Sequence, residues 1–247
     1  DGASVLTFTA WVKFVNTSDV QLVLSKFADS SNRLHFTAAG NELVFNVSTA
    51  GAQYATVAFT STEWSHIVMV FDGSGVGNAG RLKAYIDGVE QTLAFTGTIP
   101  ATIADLGTNA FTLGRQNTDY GALSLNEVAI WDEALSGNMV TEIFNSGHPT
   151  DLSTNYGSYT KAGNLKSWLN ANSASFDGTN WQIHDQSGNS NSGSSVNMDG
   201  ADYVNASSSL DYPKTTYTTA SLNSVYSDEY SVTDISGFTN YIPSGMV

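Results

Sequence analysis

The chain has 247 residues, with 23 acidic and 9 basic side chains and a formal net charge of −14. Such a surface repels phosphate backbones and anionic lipid, and we expect no nucleic-acid partner. No stretch of about 18 apolar residues exists, so no membrane insertion is expected. The absence of cysteine excludes disulfides, thiolate metal sites and cysteine nucleophiles, while a hydrophobic content of 41% is enough for a core.

Period-two hydrophobicity indicates β-strands over the first 131 residues. In residues 5–14 the even positions are apolar and the odd positions are mostly polar, apart from Trp11. Asp87-Gly88 separates two such runs and predicts a two-residue hairpin with positive φ. Further strands are predicted at 20–27, 33–38, 42–48, 54–60, 64–72, 81–87, 110–115 and 122–131. Short strands at this spacing favour an all-β antiparallel sandwich.

One short helix is predicted after the last of these strands. Ser136 is a suitable N-cap, Gly147 can end the helix, and Pro149 stops it. The apolar stripe of this helix consists of Met139, Ile143 and Phe144. We expect the stripe to pack on the sandwich, and a partner-binding surface is the alternative.

The amino-acid composition changes after Pro149, where Ser, Asn, Gly and Thr become frequent. We therefore predict a domain over 1–149 and a β-rich extension over 150–247, which packs on the first domain or on a partner subunit. Residues 196–204 have the pattern of an edge strand, and a Tyr-rich stretch follows from 203 to 241. Because the chain starts at Asp1, we expect a processed product or a piece of a longer protein.

Six motifs in order resemble the laminin-G-like branch of the concanavalin A-like lectin/glucanase superfamily. They are FTAWVKF (8–14), VLSKFA (23–28), EWSHIVMVFDGS (63–74), RLKAYIDG (81–88), FTLGRQ (111–116) and SLNEVAIWDEALS (124–136). The resemblance covers a little over half the chain and implies a jelly roll of two antiparallel sheets. The segment WLNANSASFDGTNWQIHDQSGNSNSG (168–193) is similar to extensions of phage and marine bacterial surface proteins.

The hydrolytic members of this superfamily carry carboxylates at alternate positions of one strand, facing a cleft, as glycoside hydrolysis requires. Here the adjacent acids are Asp132-Glu133 and Asp228-Glu229, and neighbours in a strand point to opposite faces. We therefore name no catalytic residue and expect a non-enzymatic protein. Carboxylates from distant strands could still meet in the folded chain.

Aromatic and histidine side chains were weighed as ligand-binding groups. Trp11, Trp64 and Trp131 are expected to pack in the core or between the sheets, with sugar stacking as the alternative. His66 lies in a strand, WSHIVMVFD, that is apolar on nearly both faces, and we expect it to be a buried histidine rather than a base. For His184-Asp185 an Asx turn into Ser187-Gly188 is favoured over a site.

Calcium is a possible cofactor that the resemblance implies, because relatives bind it through loop oxygens and an Asp in the last strand motif. The matching position holds Asn126, whose neutral oxygen lowers the expected affinity. Loop carboxylates that could contribute are Asp72, Asp105, Asp119 and Asp199. No metal ligand is assigned from these residues.

The sequence thus predicts an exterior structural or recognition module, such as a virion decoration, tail-fibre component or secreted adhesin. Its rim loops would bind glycan or protein on a cell or particle surface, and the extension could join neighbouring subunits of an assembly. The alternative is a polysaccharide-active enzyme or its carbohydrate-binding accessory domain. The expected location is extracellular or on a virion surface.

Overall fold

The structure is a computed structural model that describes residues 2–196 and residue 198. The strands of its larger sheet are β1 (Val5–Phe14), β6 (Ser65–Asp72), β7 (Leu82–Ile86), β8 (Val89–Glu90), β13 (Leu123–Trp131), β14 (Leu165–Phe176), β15 (Trp181–Asp185) and β16 (Gly193–Ser194). They are ordered β16-β15-β14-β13-β1-β6-β7-β8, and all neighbours are antiparallel.

A six-stranded antiparallel sheet forms the second layer. It consists of β2 (Gln21–Asp29), β3 (Asn32–Ala39), β4 (Glu42–Asn46), β5 (Tyr54–Ala58), β9 (Ala94–Thr96) and β10 (Phe111–Leu113). The order is β10-β2-β3-β4-β5-β9, and β11 (Arg115–Gln116) and β12 (Asp119–Tyr120) form a separate ribbon. This architecture confirms the predicted all-β jelly-roll sandwich.

The main core lies between the two sheets, and the alternation of apolar and polar residues in β1 shows how a strand contributes to it. The even positions Phe8, Ala10, Val12 and Phe14 are buried there with side chains of the six-stranded sheet. Phe36 of β3 meets the Phe8 ring edge-on at 6.0 Å. The strands β1 to β7 and β13 all contribute buried residues to this core, each from a pleated surface.

A second core covers the opposite face of the eight-stranded sheet. Val68, Val70, Tyr85, Ala129 and Trp131 of the sheet pack there against helix α2 (Gly137–Phe144) and the segments on either side of it. The covering residues that are buried in this cluster are Leu135, Val140, Ile143, Leu152 and Tyr159, and Leu165 at the start of β14 joins them. The sheet is therefore buried on both faces, as the two-sided apolar pattern of β6 predicts.

Helix α2 spans Gly137–Phe144, and the hydroxyl of Ser136 accepts a hydrogen bond from the Met139 N–H at 3.4 Å, which confirms the predicted N-cap. The helix ends earlier than Gly147, because Asn145 adopts a left-handed conformation and opens a 3₁₀ turn over Asn145–Gly147. Two further pieces were not predicted: α1 (Gly77–Arg81) and a 3₁₀ turn at Ala162–Asn164. Neither α-helix in the described part has the length and hydropathy needed to cross a bilayer.

The extension joins the sandwich through β14, which pairs with β13 and continues the eight-stranded sheet. The described part of the chain after residue 149 thus packs on the first 149 residues, and the boundary itself stays a prediction. The Tyr-rich stretch and all but Val196 and Met198 of the predicted strand at 196–204 lie outside the described residues.

Candidate functional site

A cavity of about 250 Å³ opens beside helix α2, at one end of β1, β6 and β7. Three aromatic rings, two carboxylates and two hydroxyls line it, namely Trp11, Trp64 and Phe144, Glu63 and Asp87, and Ser61 and Ser65. Ring faces combined with a few hydrogen-bonding groups are the composition of a small-molecule site.

Phe144 fixes the aromatic wall of the cavity. As the last residue of α2, it stacks on Trp11 with ring centroids 5.9 Å apart and an interplanar angle of 30°. Trp11 is itself only 4% exposed, so the packing of the helix holds its indole in place. Trp64, which precedes β6, is half-buried and contributes the more accessible indole.

The predicted Asp87-Gly88 turn forms, with φ of 50° and 77°, and it supplies one carboxylate of the cavity. Oδ1 of Asp87 accepts the His66 N–H at 2.8 Å, while the Asp87 N–H donates to the His66 carbonyl at 2.8 Å. These two bonds tie the hairpin turn to the start of β6. Desolvation raises the pKa of the Asp87 carboxyl, and the His66 N–H partly offsets the rise.

Gly88 lets the helix approach this turn. A Cβ atom at Gly88 would lie 2.9 Å from Cδ1 of Phe144, closer than real contacts allow. The Thr141 hydroxyl of α2 also donates to the Gly88 carbonyl at 3.2 Å. A second hollow of about 450 Å³ adjoins the cavity, since Asp87 and Phe144 line both. The two hollows together offer room beyond a single small ring.

His66 lies under the aromatic wall rather than in the cavity lining. Its ring contacts Trp11 at 5.2 Å and Phe144 at 5.9 Å, and its Nε2 lies 2.6 Å from the Thr9 hydroxyl. Burial lowers the pKa of His66 to about 3, so the imidazole is neutral near pH 7. The prediction of a buried histidine is confirmed.

Trp11 and Trp131 are buried, as expected, but they lie on the outward side of the eight-stranded sheet rather than between the two sheets. Trp131 is fully buried in the second core, where its Nε1 donates to the Tyr159 hydroxyl at 2.9 Å, and Trp11 stacks on helix α2. Both residues occupy outward-facing positions of β13 and β1, so they pack under the helix and the following segment. The expectation of core packing is thus confirmed for Trp11 and Trp131, and the extra layer over the sheet explains why that core is not the one between the sheets.

The two site-like pairs of the sequence have structural roles. The Asp185 carboxylate accepts the Ser187 N–H at 2.9 Å, which confirms the predicted Asx turn, and His184 bonds the Ser175 hydroxyl. Asp132 pairs with Lys166 at 2.8 Å and Glu133 pairs with Lys161 at 2.9 Å. The pair Asp228-Glu229 lies outside the described residues.

The residues considered for calcium are not brought together. The side-chain oxygen of Asn126 accepts the N–H groups of Glu127 and Ala171, so it serves a bulge in β13 and does not fit a calcium ligand. Asp72 and Asp105 accept backbone N–H groups in their own turns, and Asp119 lies in β12. Residues 2–196 and 198 contain no metal-suited cluster of three His, Asp or Glu side chains, and Asp199 falls outside them.

Sequence reasoning missed Glu127, a carboxyl group that is 8% exposed. The residue has a φ of 49° in the bulge where β13 shifts its register against β1. Trp168 Nε1 donates to its Oε2 at 2.5 Å, and Asn170 Nδ2 donates to its Oε1. Burial raises the pKa of Glu127 to about 7, although both hydrogen bonds lower it. This group links the family motif to the extension.

The comparisons agree with this architecture. The sequence profile of the concanavalin A-like lectin/glucanases superfamily matches residues 2–141, more than half of the chain. This protein therefore belongs to the concanavalin A-like lectin/glucanase superfamily. No curated protein matches the chain.

Solved structures are similar in fold at low sequence identity. A Bacteroides ovatus protein to which carbohydrate binding is assigned has 16% identity and a TM-score of 0.56, with 78% of this chain and 52% of that one covered. A heptameric SAP-like pentraxin from Limulus polyphemus has 16% identity and a TM-score of 0.37, over 57% of this chain and 70% of its own. The chain spans about half the length of the Bacteroides protein, and this likeness concerns the fold alone.

Proposed function

We propose that this chain is a non-enzymatic carbohydrate-recognition module that works outside the cell or on a virion surface. The cavity lined by Trp11, Trp64 and Phe144 together with Glu63 and Asp87 carries the proposal. One face of a sugar ring is made of C–H groups that pack on an aromatic ring, while its hydroxyls donate to carboxylates. The cavity combines both kinds of group.

Its size supports a glycan ligand of limited length. A volume of about 250 Å³ suits one sugar ring, and the adjoining hollow past Phe144 can take a neighbouring residue. The binding groups sit on a rigid base, since Trp11 belongs to β1 and Asp87 is bonded to β6. The acidic, cysteine-free composition supports an exterior location.

The test is a glycan array with the full chain, followed by calorimetry on the ligands found. Trp64→Ala should weaken binding at least tenfold without a large change in melting temperature, because Trp64 is half-buried at the surface. Trp181→Ala is the matched control, a half-buried tryptophan on β15 that does not line the cavity. If the chain binds no glycan on the array and is not captured by whole cells or particles in pull-downs, the proposal is refuted.

The second candidate is a polysaccharide-active enzyme, which the shared cavity of Glu63 and Asp87 favours. Two carboxyl groups about 5–9 Å apart can flank a glycosidic bond, one as acid and one as base or nucleophile. The raised pKa of the Asp87 carboxyl suits the role of general acid. Release of reducing sugar from laminarin, agarose or carrageenan, lost in both Glu63→Gln and Asp87→Asn, would establish this activity in place of simple binding.

A further inference from the structure

The eight-stranded sheet is wider than the six-stranded sheet on the side of β14 to β16. The two sheets face each other at β1 and β3, where Phe8 meets Phe36. From there one side continues with β13, β14, β15 and β16 in the larger sheet, but only with β2 and β10 in the smaller one. The Ala122 N–H, just before β13, donates to Oε1 of Gln21 in β2 at 2.6 Å, so β13 and β2 lie on the same side. Counted outward from β1 and β3, β15 and β16 therefore have no strand opposite them. We call β15, β16 and the end of β14 from Ala174 onward the overhang.

Four apolar side chains share one face of the overhang. Ala174 pairs directly with Ile183, and Phe176 pairs with Trp181. Directly opposed partners lie on one side of a sheet, and so do residues two apart in a strand. The rings of Phe176 and Trp181 lie 5.1 Å apart. The residues that pair on the opposite face are polar, namely Ser175, Gln182 and Ser194.

The apolar face of the overhang continues the inward face of the larger sheet. Leu169 of β14 pairs with Asp185, which shares a face with Ile183 in β15. Leu169 packs against the main core between the sheets. A Cβ atom at Gly193, which pairs with Ile183, would lie 3.7 Å from Cδ1 of Leu169, in agreement with this orientation. The overhang thus presents core-type side chains where the second layer has ended.

Nothing in the described part of the chain buries this face. Residues 166–196 are all exposed or half-buried, and neither hydrophobic cluster of the described residues has a member after Leu169. Phe176 is 40% exposed, and Trp181 and Ile183 are half-buried. Apolar surface left in water costs roughly 25 cal/mol for each Å², so a cover that matches this face stabilises it.

The overhang is also the part of the surface where like charges oppose contact least. Residues 167–184 carry one formal charge, Asp177, in a chain of net charge −14. The Asp177 carboxylate lies in the turn between β14 and β15, where it accepts the N–H groups of Thr179 and Asn180. Two copies of so acidic a chain repel each other over most of their surface. A basic partner would be drawn to the acidic surface instead of to this neutral face.

We propose that the overhang docks on the overhang of a second copy of this chain. In a two-fold dimer the same patch meets itself, so each copy supplies the layer that the other lacks. Phe176 and Trp181 of one copy would interdigitate with the same side chains of the other, as inner faces do when sheets pack about 10 Å apart. The overhang follows residues 2–141, which match the superfamily, so the family assignment does not imply this contact.

The size of the overhang sets the strength of this contact. Five residues along the strands and three strands across give a face of about 17 Å by about 14 Å. Two such faces bury much less than the roughly 1,200 Å² of a standard stable interface. The dimer is therefore weak and reversible, and it forms when the chains are concentrated.

Sedimentation velocity of the full chain tests this inference, from about 10 μM to about 1 mM, the range that suits so small a contact. We expect a monomer at the low end and a growing fraction of dimer at the high end. Phe176→Ser should weaken the association at least tenfold. Tyr120→Ser is the matched control, an aromatic residue on β12 that is 48% exposed and lies outside the overhang, and it should change nothing. More salt should strengthen the dimer, because it screens the repulsion between acidic chains.

A thiol probe locates the contact, since the chain contains no cysteine. The maleimide reactivity of Ala174→Cys, on the apolar face, should fall as the protein concentration rises. Ser175→Cys, on the opposite face, should react equally at all concentrations. A monomer over the whole range, or equal association of Phe176→Ser and Tyr120→Ser, would overturn the inference. Protection of Ala174→Cys in a monomer would show that the chain covers its own overhang, which would overturn it as well.

Discussion

The two sheets of the sandwich differ in what happens on their outward faces. The eight-stranded sheet is covered by helix α2 and the segment that follows it, and its outward positions hold valines and aromatics together with Thr7, Thr9 and His66. The outward face of the six-stranded sheet carries polar side chains instead, among them Ser25, His35 and Asn46, which are themselves buried. Both sheets contribute equally apolar inner faces to the main core.

The difference teaches where binding can arise in this fold. A sheet face that is covered by other segments becomes part of the core. Groups that could bind a ligand therefore remain at the edge of the covering helix, where Phe144 and Asp87 lie close to Trp11. On the six-stranded sheet, by contrast, polar side chains line up across three neighbouring strands.

The largest expected effect tests the covered face. Trp131→Ala should lower the free energy of unfolding by about 3–5 kcal/mol, because a fully buried indole and its bond to Tyr159 are lost. Phe27→Ala, on the outward face of the six-stranded sheet, should lower the free energy of unfolding by only about 1 kcal/mol, because that ring is half-buried. Urea unfolding measures both, and similar losses would mean that the two faces are equally buried.

The second prediction concerns the junction of the covered sheet with the extension. Burial holds the pKa of Glu127 at about 7 against an ordinary value of 4.5. The folded state therefore keeps a proton that the unfolded state releases first, and its stability falls as pH rises between these values. The loss should reach about 3 kcal/mol by pH 7, at 1.36 kcal/mol per pH unit.

Glu127→Gln checks this prediction when its unfolding free energy is compared with the wild type from pH 4.5 to 8. His35 and His66 have lowered pKa values and act in the opposite direction below pH 6.5, so only the difference between the two proteins is informative. The variant should lose the pH dependence that Glu127 contributes to the free energy of unfolding. At low pH its free energy of unfolding should also be lower than that of the wild type, because one of the donors Trp168 and Asn170 lacks an acceptor. Parallel curves would contradict the assigned pKa.

The smallest effect compares two hairpin turns, one in each sheet. Gly88 and Gly40 both have positive φ, 77° and 60°, but only Gly88 has a neighbour, Phe144, where a Cβ would lie. Alanine at either position strains the backbone, and Gly88→Ala must also displace the helix. We expect Gly88→Ala to cost about 1 kcal/mol more than Gly40→Ala and to weaken glycan binding. Equal costs would show that the helix does not press on the turn.

Local patterns predicted much of this fold. The alternation in β1, the Asp87-Gly88 turn and the Ser136 cap depend on residues close in sequence, and each forms as predicted. The two-sided apolar pattern of β6 also correctly indicated burial on both faces. Strand β12, which pairs with its chain neighbour β11, was not predicted because two residues are too few to show a hydrophobic period.

Amino-acid order by itself determined the fold class and which side chains share a face, because strand period and turn chemistry are local properties. Only the tertiary structure decided which outward face receives the helix and the segment after it. It also brought Trp11, Asp87 and Phe144, far apart in the chain, into one cavity, and it buried Glu127 under Trp168. These placements depend on contacts between segments that are far apart in the chain, and no local sequence pattern specifies such contacts.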